Sequence, residues 1–184
     1  MSENKKLSEI YRFLALSISY PESNWLNDDY LSRLINILET LEWQEEADKL
    51  REFTPANTQT FEDLQVEYTR LFISAVGGAE APPYGSVYLS DSGMLFNEAT
   101  EEVHDYYRQK GFQLAGEEQA ADHISNELEF LALLTANDML DDEQEFLEKY
   151  FRPWFSQFQD KVIKSAQLPY YVIIAKLISF FTMP

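Results

Sequence analysis

Few side chains in this 184-residue chain are suited to chemistry, because it holds two histidines and no cysteine. Without thiols, disulfides, thiolate zinc sites, iron–sulfur ligation and cysteine nucleophiles are excluded. Glu101-x-x-His104 has the i, i+3 spacing by which helical bundles hold carboxylate-bridged metals. That chemistry takes a second copy and two more inward-pointing glutamates, and Ala120 stands where the copy before His123 would need its carboxylate. A solvated helix face is the simpler reading. His123 and Glu127, at i and i+4, have the spacing of an acid–base pair, with Asp122 beside them as a second carboxylate. Adjacent residues on a helix point about 100° apart, so Asp122 and His123 face one reacting atom only with help from a bend or cap. If Asp122 is itself the N-cap of the helix, backbone N–H groups occupy its carboxylate. There is no P-loop, dinucleotide fingerprint or serine-centred elbow. These residues do not make an enzyme, and no metal is expected.

Binding is the chemistry left. Ala81-Pro82-Pro83-Tyr84-Gly85-Ser86-Val87-Tyr88 joins two rigid prolines to two tyrosines, which presents aromatic area at low entropic cost. A loop merely pinned to its domain by Tyr88 would have the same composition. With 14 Lys and Arg against 32 Asp and Glu, the net charge is −18. Nucleic acid is thereby a poor partner, since binding a phosphate backbone takes basic groups that displace counterions. Anionic membrane surfaces are disfavoured for the same reason. The sign of the field favours a cationic ligand, although the same acidity also serves solubility.

The elements that must position these residues are helical. The chain is 45% hydrophobic, with 13 Phe, 11 Tyr and 3 Trp, too apolar to stay disordered, and its length suits one domain spanning 1–184. All six glycines, from Gly77 to Gly116, lie in the middle third, and Gly-free flanks favour helix. Stripes at three- and four-residue spacing run through Leu7, Ile10, Tyr11, Leu14 and Ile18, then through Leu31, Leu34, Ile35, Leu38 and Leu41. A short helix over Trp43 to Phe53 ends at Pro55. Another, capped by Thr58 or Thr60, carries Phe61, Leu64, Tyr68, Leu71 and Phe72. Periodicity is lost from Ser74 to Leu89, a length of loop more often functional than filler. Ser90-Asp91-Ser92 is expected to open a helix carrying Met94, Ala99, Val103 and Tyr106 and closing at Gly111. A long helix from Ala120 carries Ile124, Leu128, Leu131 and Leu134 and fades at Asn137-Asp138. The acids of Asp141 to Glu148 suit a helix start, Pro153 a kink or restart, and Pro169 the first residue of the last helix. No strand interrupts the series. The expectation is an all-α domain of about eight or nine helices with a long functional loop in its middle third. Met1 to Lys6 leads into an amphipathic stretch instead of an apolar signal region, which points to a cytoplasmic chain. Leu168 to Met183 approaches the length of a membrane span but contains Pro169, Lys176 and Ser179, and reads as a buried helix with no stable membrane insertion.

Several of these segments occur together in one known pattern. Glu67-Tyr68-Thr69-Arg70-Leu71-Phe72, Pro82-Pro83-Tyr84-Gly85-Ser86-Val87-Tyr88, the helix end from Tyr107 to Gly111, and Asp122-His123-Ile124 before Glu127-Leu128-Glu129-Phe130-Leu131 resemble, in order and spacing, the TorD/DmsD/NarJ family of redox-enzyme maturation chaperones. Tyr150-Phe151-Arg152-Pro153-Trp154 and Pro169-Tyr170-Tyr171 fit the same pattern, and the resemblance spans Phe61 to Phe181. It departs after Leu71-Phe72, where Ile73-Ser74-Ala75-Val76 replaces a frequent Gly-Pro, and tyrosines 84 and 88 stand where many members carry tryptophan. Tyr150 stands where many members have histidine.

The resemblance implies an all-helical cytoplasmic chaperone without chemistry of its own. Its partner would be the twin-arginine signal peptide, within the precursor, of a molybdopterin-dependent oxidoreductase catalytic subunit, held back from export until its cofactor is inserted. It further implies no required cofactor, weak guanine-nucleotide binding in some members, and monomers or domain-swapped dimers. Carried over by motif, the peptide-binding positions are Pro82, Pro83, Tyr84, Ser86 and Tyr88 with Asp122 and His123. The physics agrees: a pair of arginines followed by an apolar stretch calls for carboxylates beside an aromatic surface. Asp122 would pair with a guanidinium, the tyrosines would stack on an arginine or take the apolar stretch, and His123 near neutrality would tune the charge. A helical adaptor binding a folded partner is the alternative that the same acidity and aromatic loop allow.

Overall fold

The computed structural model describes residues 3–52, 58–74, 78–90, 93–114 and 120–184. Their helices are α1 (Glu3–Ser17), α2 (Asp28–Thr40), α3 (Gln44–Arg51), α4 (Thr58–Tyr68), α5 (Gly85–Leu89), α6 (Glu98–Gln109), α7 (Ile124–Ala136), α8 (Leu140–Phe146), α9 (Arg152–Ser165) and α10 (Pro169–Thr182). α4 runs on through a π-helical turn, Thr69–Ile73, and a second π turn, Leu147–Phe151, joins α8 to α9. Counted as unbroken rods, the described residues make nine helices, as the periodicity predicts. The β-structure among them is one isolated bridge, between Tyr84 and His123.

Local chemistry explains most boundaries. Asn27 opens α2 by accepting the Tyr30 N–H at 3.0 Å, with Asp28 and Asp29 in the first turn where the helix dipole favours them. Its stripe of Leu31, Leu34 and Leu38 is buried as expected. Gly111 follows α6 with φ +85°, the left-handed conformation that glycine adopts without a Cβ clash. Pro153 stands in the first turn of α9, where its missing N–H costs nothing, directly after the π turn that absorbs the irregularity.

α7 is the central rod. Ile124, Leu128, Leu131 and Leu134 are all buried, and its most extensive packing is against α1. The helices approach closely enough for Ser8 Oγ to donate to the Ala132 carbonyl at 2.8 Å. The Glu67–Arg70 segment acts as a structural clamp. Buried Glu67 accepts from Arg70 Nη2 at 2.8 Å and from the Leu168 N–H at 3.3 Å. Arg70 Nη2 also donates to the Ser165 carbonyl at 2.6 Å. One carboxylate thus satisfies the orphan N–H groups at the start of α10 while fastening the first π turn to the α9–α10 corner.

Three expectations need correction. The Ser74 to Leu89 stretch is not loop to its end, because Gly85–Leu89 closes into α5. α6 starts later than Ser90 to Ser92: Asn97 is its cap, accepting the Ala99 N–H at 2.9 Å, while Asp91 and Ser92 lie outside the described residues. Ser90 Oγ instead donates to the Ser86 carbonyl, and Met94 lies exposed before the helix. α7 begins at Ile124, not Ala120. Phe53, Pro55, Val76, Gly77 and Gly116 also lie outside the described residues.

Candidate functional site

The fold brings the Pro82 to Tyr88 segment onto the turn before α7. At its start the Ala81 N–H donates to the Leu71 carbonyl at 2.7 Å, holding the segment against the first π turn. Pro83 cannot donate but its carbonyl can accept, and it takes the Ile124 N–H at 2.9 Å. The Gly85 N–H reaches the Asp122 carbonyl at 3.0 Å, and the Ser86 N–H reaches Asp122 Oδ2 at 2.7 Å. The Tyr84 ring meets the His123 ring edge-on, centroids 4.9 Å apart.

The same bonds change the roles of two residues. Asp122 does not cap α7. Its carboxylate lies over the start of α5, 36 positions earlier in the chain, and His123 caps α7 instead, its Nδ1 accepting the Ser125 N–H at 3.3 Å. Asp122 is 1% exposed, so a bidentate guanidinium pair on the surface is not available while α5 is seated. His123 is buried too, and burial lowers its pKa to about 4 against the pull of Asp122. It is therefore neutral near pH 7 and does not tune charge there. His123 and Glu127 do not form an acid–base pair, since the His123 ring turns to Ser125 Oγ at 2.6 Å and Glu127 Oε2 accepts the Trp154 indole N–H at 3.2 Å.

Of the seven site residues expected, Pro82, Tyr84 and Tyr88 are partly open to solvent, while Pro83, Ser86, Asp122 and His123 are enclosed. Tyr88 lies nearly parallel to Trp154, centroids 5.8 Å apart, and Lys161 Nζ sits over the Tyr88 ring, 5.2 Å from its centroid. Glu101 and His104 lie on α6, Glu101 exposed and His104 partly so. Among the described residues no three His, Asp or Glu are grouped to hold a metal ion.

Two features of this region do not follow from the spacing of residues: the burial of Glu127 against Trp154, and an exposed apolar loop. Trp154 and Glu127, both 0% exposed, form the floor beneath α5, and burial followed by Asp122 raises the Glu127 pKa well above the ordinary carboxylate range. Leu89, Met94, Leu95 and Phe96 are exposed apolar side chains beside the segment. They are tied to it by Asn97 Nδ2, which donates to the Ser86 carbonyl and Ser90 Oγ, each at 3.0 Å, and to the Met94 carbonyl at 2.9 Å. A helix stripe was expected around Met94, and no local signal marked an exposed apolar loop.

Comparison with known proteins follows the same residues. The family model described as nitrate reductase delta subunit matches residues 36–160. The chain is 29% identical over 154 residues to the Tat proofreading chaperone DmsD of Salmonella typhimurium, covering 83% of this chain and 71% of that one. It is 27% identical to the chaperone protein TorD of Aliivibrio fischeri, covering 97% and 92%. A crystal structure described as that of a putative redox enzyme maturation protein from Archaeoglobus fulgidus matches with a TM-score of 0.64 and 28% identity, over 98% of this chain and 94% of that one. The curated relatives are named as chaperones and not as enzymes, and no helix among the described residues is long and apolar enough to cross a membrane.

Proposed function

The chain belongs to the nitrate reductase delta subunit family, and from that premise we propose that it is a system-specific chaperone binding the twin-arginine leader of a molybdopterin-dependent oxidoreductase precursor. The surface is that of Pro82, Tyr84 and Tyr88 over the Asp122–His123 turn, continued by Leu89 and Met94 to Phe96. A twin-arginine leader offers two cationic planar groups followed by an apolar stretch. Stacking on Tyr84 and Tyr88 suits the first, and the exposed apolar loop suits the second. Because such a leader is read before export, its chaperone works in the cytoplasm. The reading needs no cofactor, and one copy of the chain carries every residue of the site.

The observation that carries this reading is the seating of an aromatic, proline-stiffened segment directly on a buried aspartate, beside exposed apolar side chains, in a chain whose net charge is −18. Calorimetry with a twin-arginine peptide tests the proposal on Tyr84→Ala and Asp122→Asn, with thermal melts confirming that each variant folds. Loss of about tenfold in affinity or more is expected for each, the scale of a binding hot spot. Wild-type affinity in both variants would remove the site.

A further inference from the structure

Beneath α5 the interior leaves polar atoms without partners. Among the described residues, five buried side-chain oxygens make no hydrogen bond: Ser86 Oγ, Tyr88 Oη, Asp122 Oδ1, Glu127 Oε1 and, on α6, Thr100 Oγ1. The first four belong to one neighbourhood. Ser86 N–H is bonded to Asp122, Tyr88 stacks on Trp154, and Trp154 is bonded to Glu127. Folded interiors satisfy nearly all their polar groups, so a concentration of exceptions asks for an explanation. Asp122 Oδ1 can only accept, Glu127 accepts on both oxygens once its proton is lost, and the Ser86 and Tyr88 hydroxyls accept as well as donate, so a group rich in donors satisfies all four. A guanidinium, planar with five N–H donors and no acceptor, spans two carboxyl groups in a way that a compact ammonium does not.

Resting on the leader-binding reading, we propose that Asp122 and Glu127, beneath Ser86 and Tyr88 of α5, form an internal guanidinium site uncovered by displacement of α5, and that Glu127 gives up a proton when an arginine of the leader occupies it. α5 is five residues long, and the bond from Ser86 N–H to Asp122 Oδ2 is replaced on entry by a guanidinium N–H. Before entry, Glu127 holds its proton because it lies buried near the charge of Asp122. The entering cation favours the carboxylate form, Glu127 becomes the second anionic partner, and its proton passes to the buffer.

The groups around Glu127 support this assignment. The turn supplies Asp122 and His123, the second through its carbonyl, which accepts the Glu127 N–H at 3.0 Å. α6 supplies Tyr107, whose hydroxyl pKa is raised well above the ordinary value by burial and then by Glu127 and Asp122. α9 supplies the uncharged Trp154 indole, and α5 supplies Tyr88, with Lys161 against its ring. His123, with its pKa near 4, stays neutral over the range in which Glu127 would titrate and contributes no proton to binding.

Calorimetry at several pH values, in two buffers of different ionisation enthalpy, reads the proton directly. The probe is a twin-arginine peptide with an acetylated N-terminus and no histidine. Wild type is expected to release about one proton per peptide at the acid end, with affinity rising up to tenfold per pH unit until Glu127 titrates in the free protein. Glu127→Gln is expected to release none and to bind with a flat pH profile. Infrared spectroscopy of wild type gives a readout independent of any variant: a protonated carboxyl band that disappears when peptide is added. Binding by wild type with no proton release and no loss of that band would overturn the internal site while leaving the surface proposal standing. Absence of peptide binding altogether would overturn both.

Discussion

The seating of α5 depends on one close approach. At Gly85 an added Cβ would lie 3.0 Å from Trp154 Nε1, 3.1 Å from Cδ1 and 3.4 Å from Cε2. Carbon contacts settle at about 3.5–4.0 Å, so Gly85→Ala obliges α5 or the indole to yield by about half an ångström. The indole has little room, because it is fully buried, bonded to Glu127 and enclosed by the rings of Tyr88, Phe151, Phe155 and Phe158. If α5 moves, its bond from Ser86 N–H to Asp122 is strained. Overpacking of this kind costs about 1–3 kcal/mol, against about 0.4–1 kcal/mol gained by removing glycine freedom from the unfolded chain. The net expectation is a loss of about 1–2 kcal/mol, read from urea melts with an unchanged m value. A double-mutant cycle isolates the cause: Trp154→Phe removes the atoms that clash, so Gly85→Ala is expected to cost clearly less in that background, with a coupling of about 1 kcal/mol. A neutral or stabilising Gly85→Ala, or the same cost with and without the indole, would show that the approach of Gly85 to Trp154 does not limit the seating of α5.

Three further outcomes follow from the same structure. His123 has a pKa of about 4 when folded against an ordinary 6.5, so the unfolded state binds more protons at this site between those values; the contribution of His123 to stability is full above pH 6.5 and falls by about 3 kcal/mol as the pH drops to 4, opposed by the raised pKa of Glu127. Urea melts across that window check it, and His123→Gln, which removes the proton site, is expected to lose less on acidification. Glu67→Ala leaves Arg70 and the N–H groups before α10 without their shared carboxylate, and a loss of about 2–4 kcal/mol is expected in chemical melts, with Glu67→Gln less severe. Phe96 combines φ +57° with 68% exposure; Phe96→Gly is expected to raise stability by up to about 1 kcal/mol by relieving the left-handed backbone, while weakening the peptide in calorimetry through lost apolar area.

Features set by neighbours in the chain were the legible ones. The Leu31, Leu34 and Leu38 stripe, Gly111 after α6 and Pro169 at the start of α10 all depend on helical period or backbone restriction, and all appear where their spacing puts them. The adjacency of the Pro82 to Tyr88 segment to Asp122 and His123 was legible only through resemblance, since nothing local connects residues so far apart. Features decided by tertiary partners were not legible. Asp122 has the look of a helix cap, yet its carboxylate serves the start of α5 because the chain returns there. Ser90 to Ser92 carries a fair cap signal, but Asn97 supplies the cap while its amide bonds fasten the preceding loop. His123 has the ordinary signature of a group titrating near neutrality, and burial alone removes it from that range. Glu127 sits in an apolar run where no spacing rule reveals that it would be enclosed with a second carboxylate and an indole.

Photo-crosslinking reads out where on the protein the leader binds. A twin-arginine peptide with one photoreactive side chain in its apolar stretch is irradiated with the protein, and the attached residues are mapped by mass spectrometry. Attachment is expected at Pro82 to Tyr88, Leu89 and Met94 to Phe96, suppressed by excess unlabelled peptide. Competable attachment instead at the cleft of Trp43, Lys176 and Phe180, on the α3–α10 face, would contradict it.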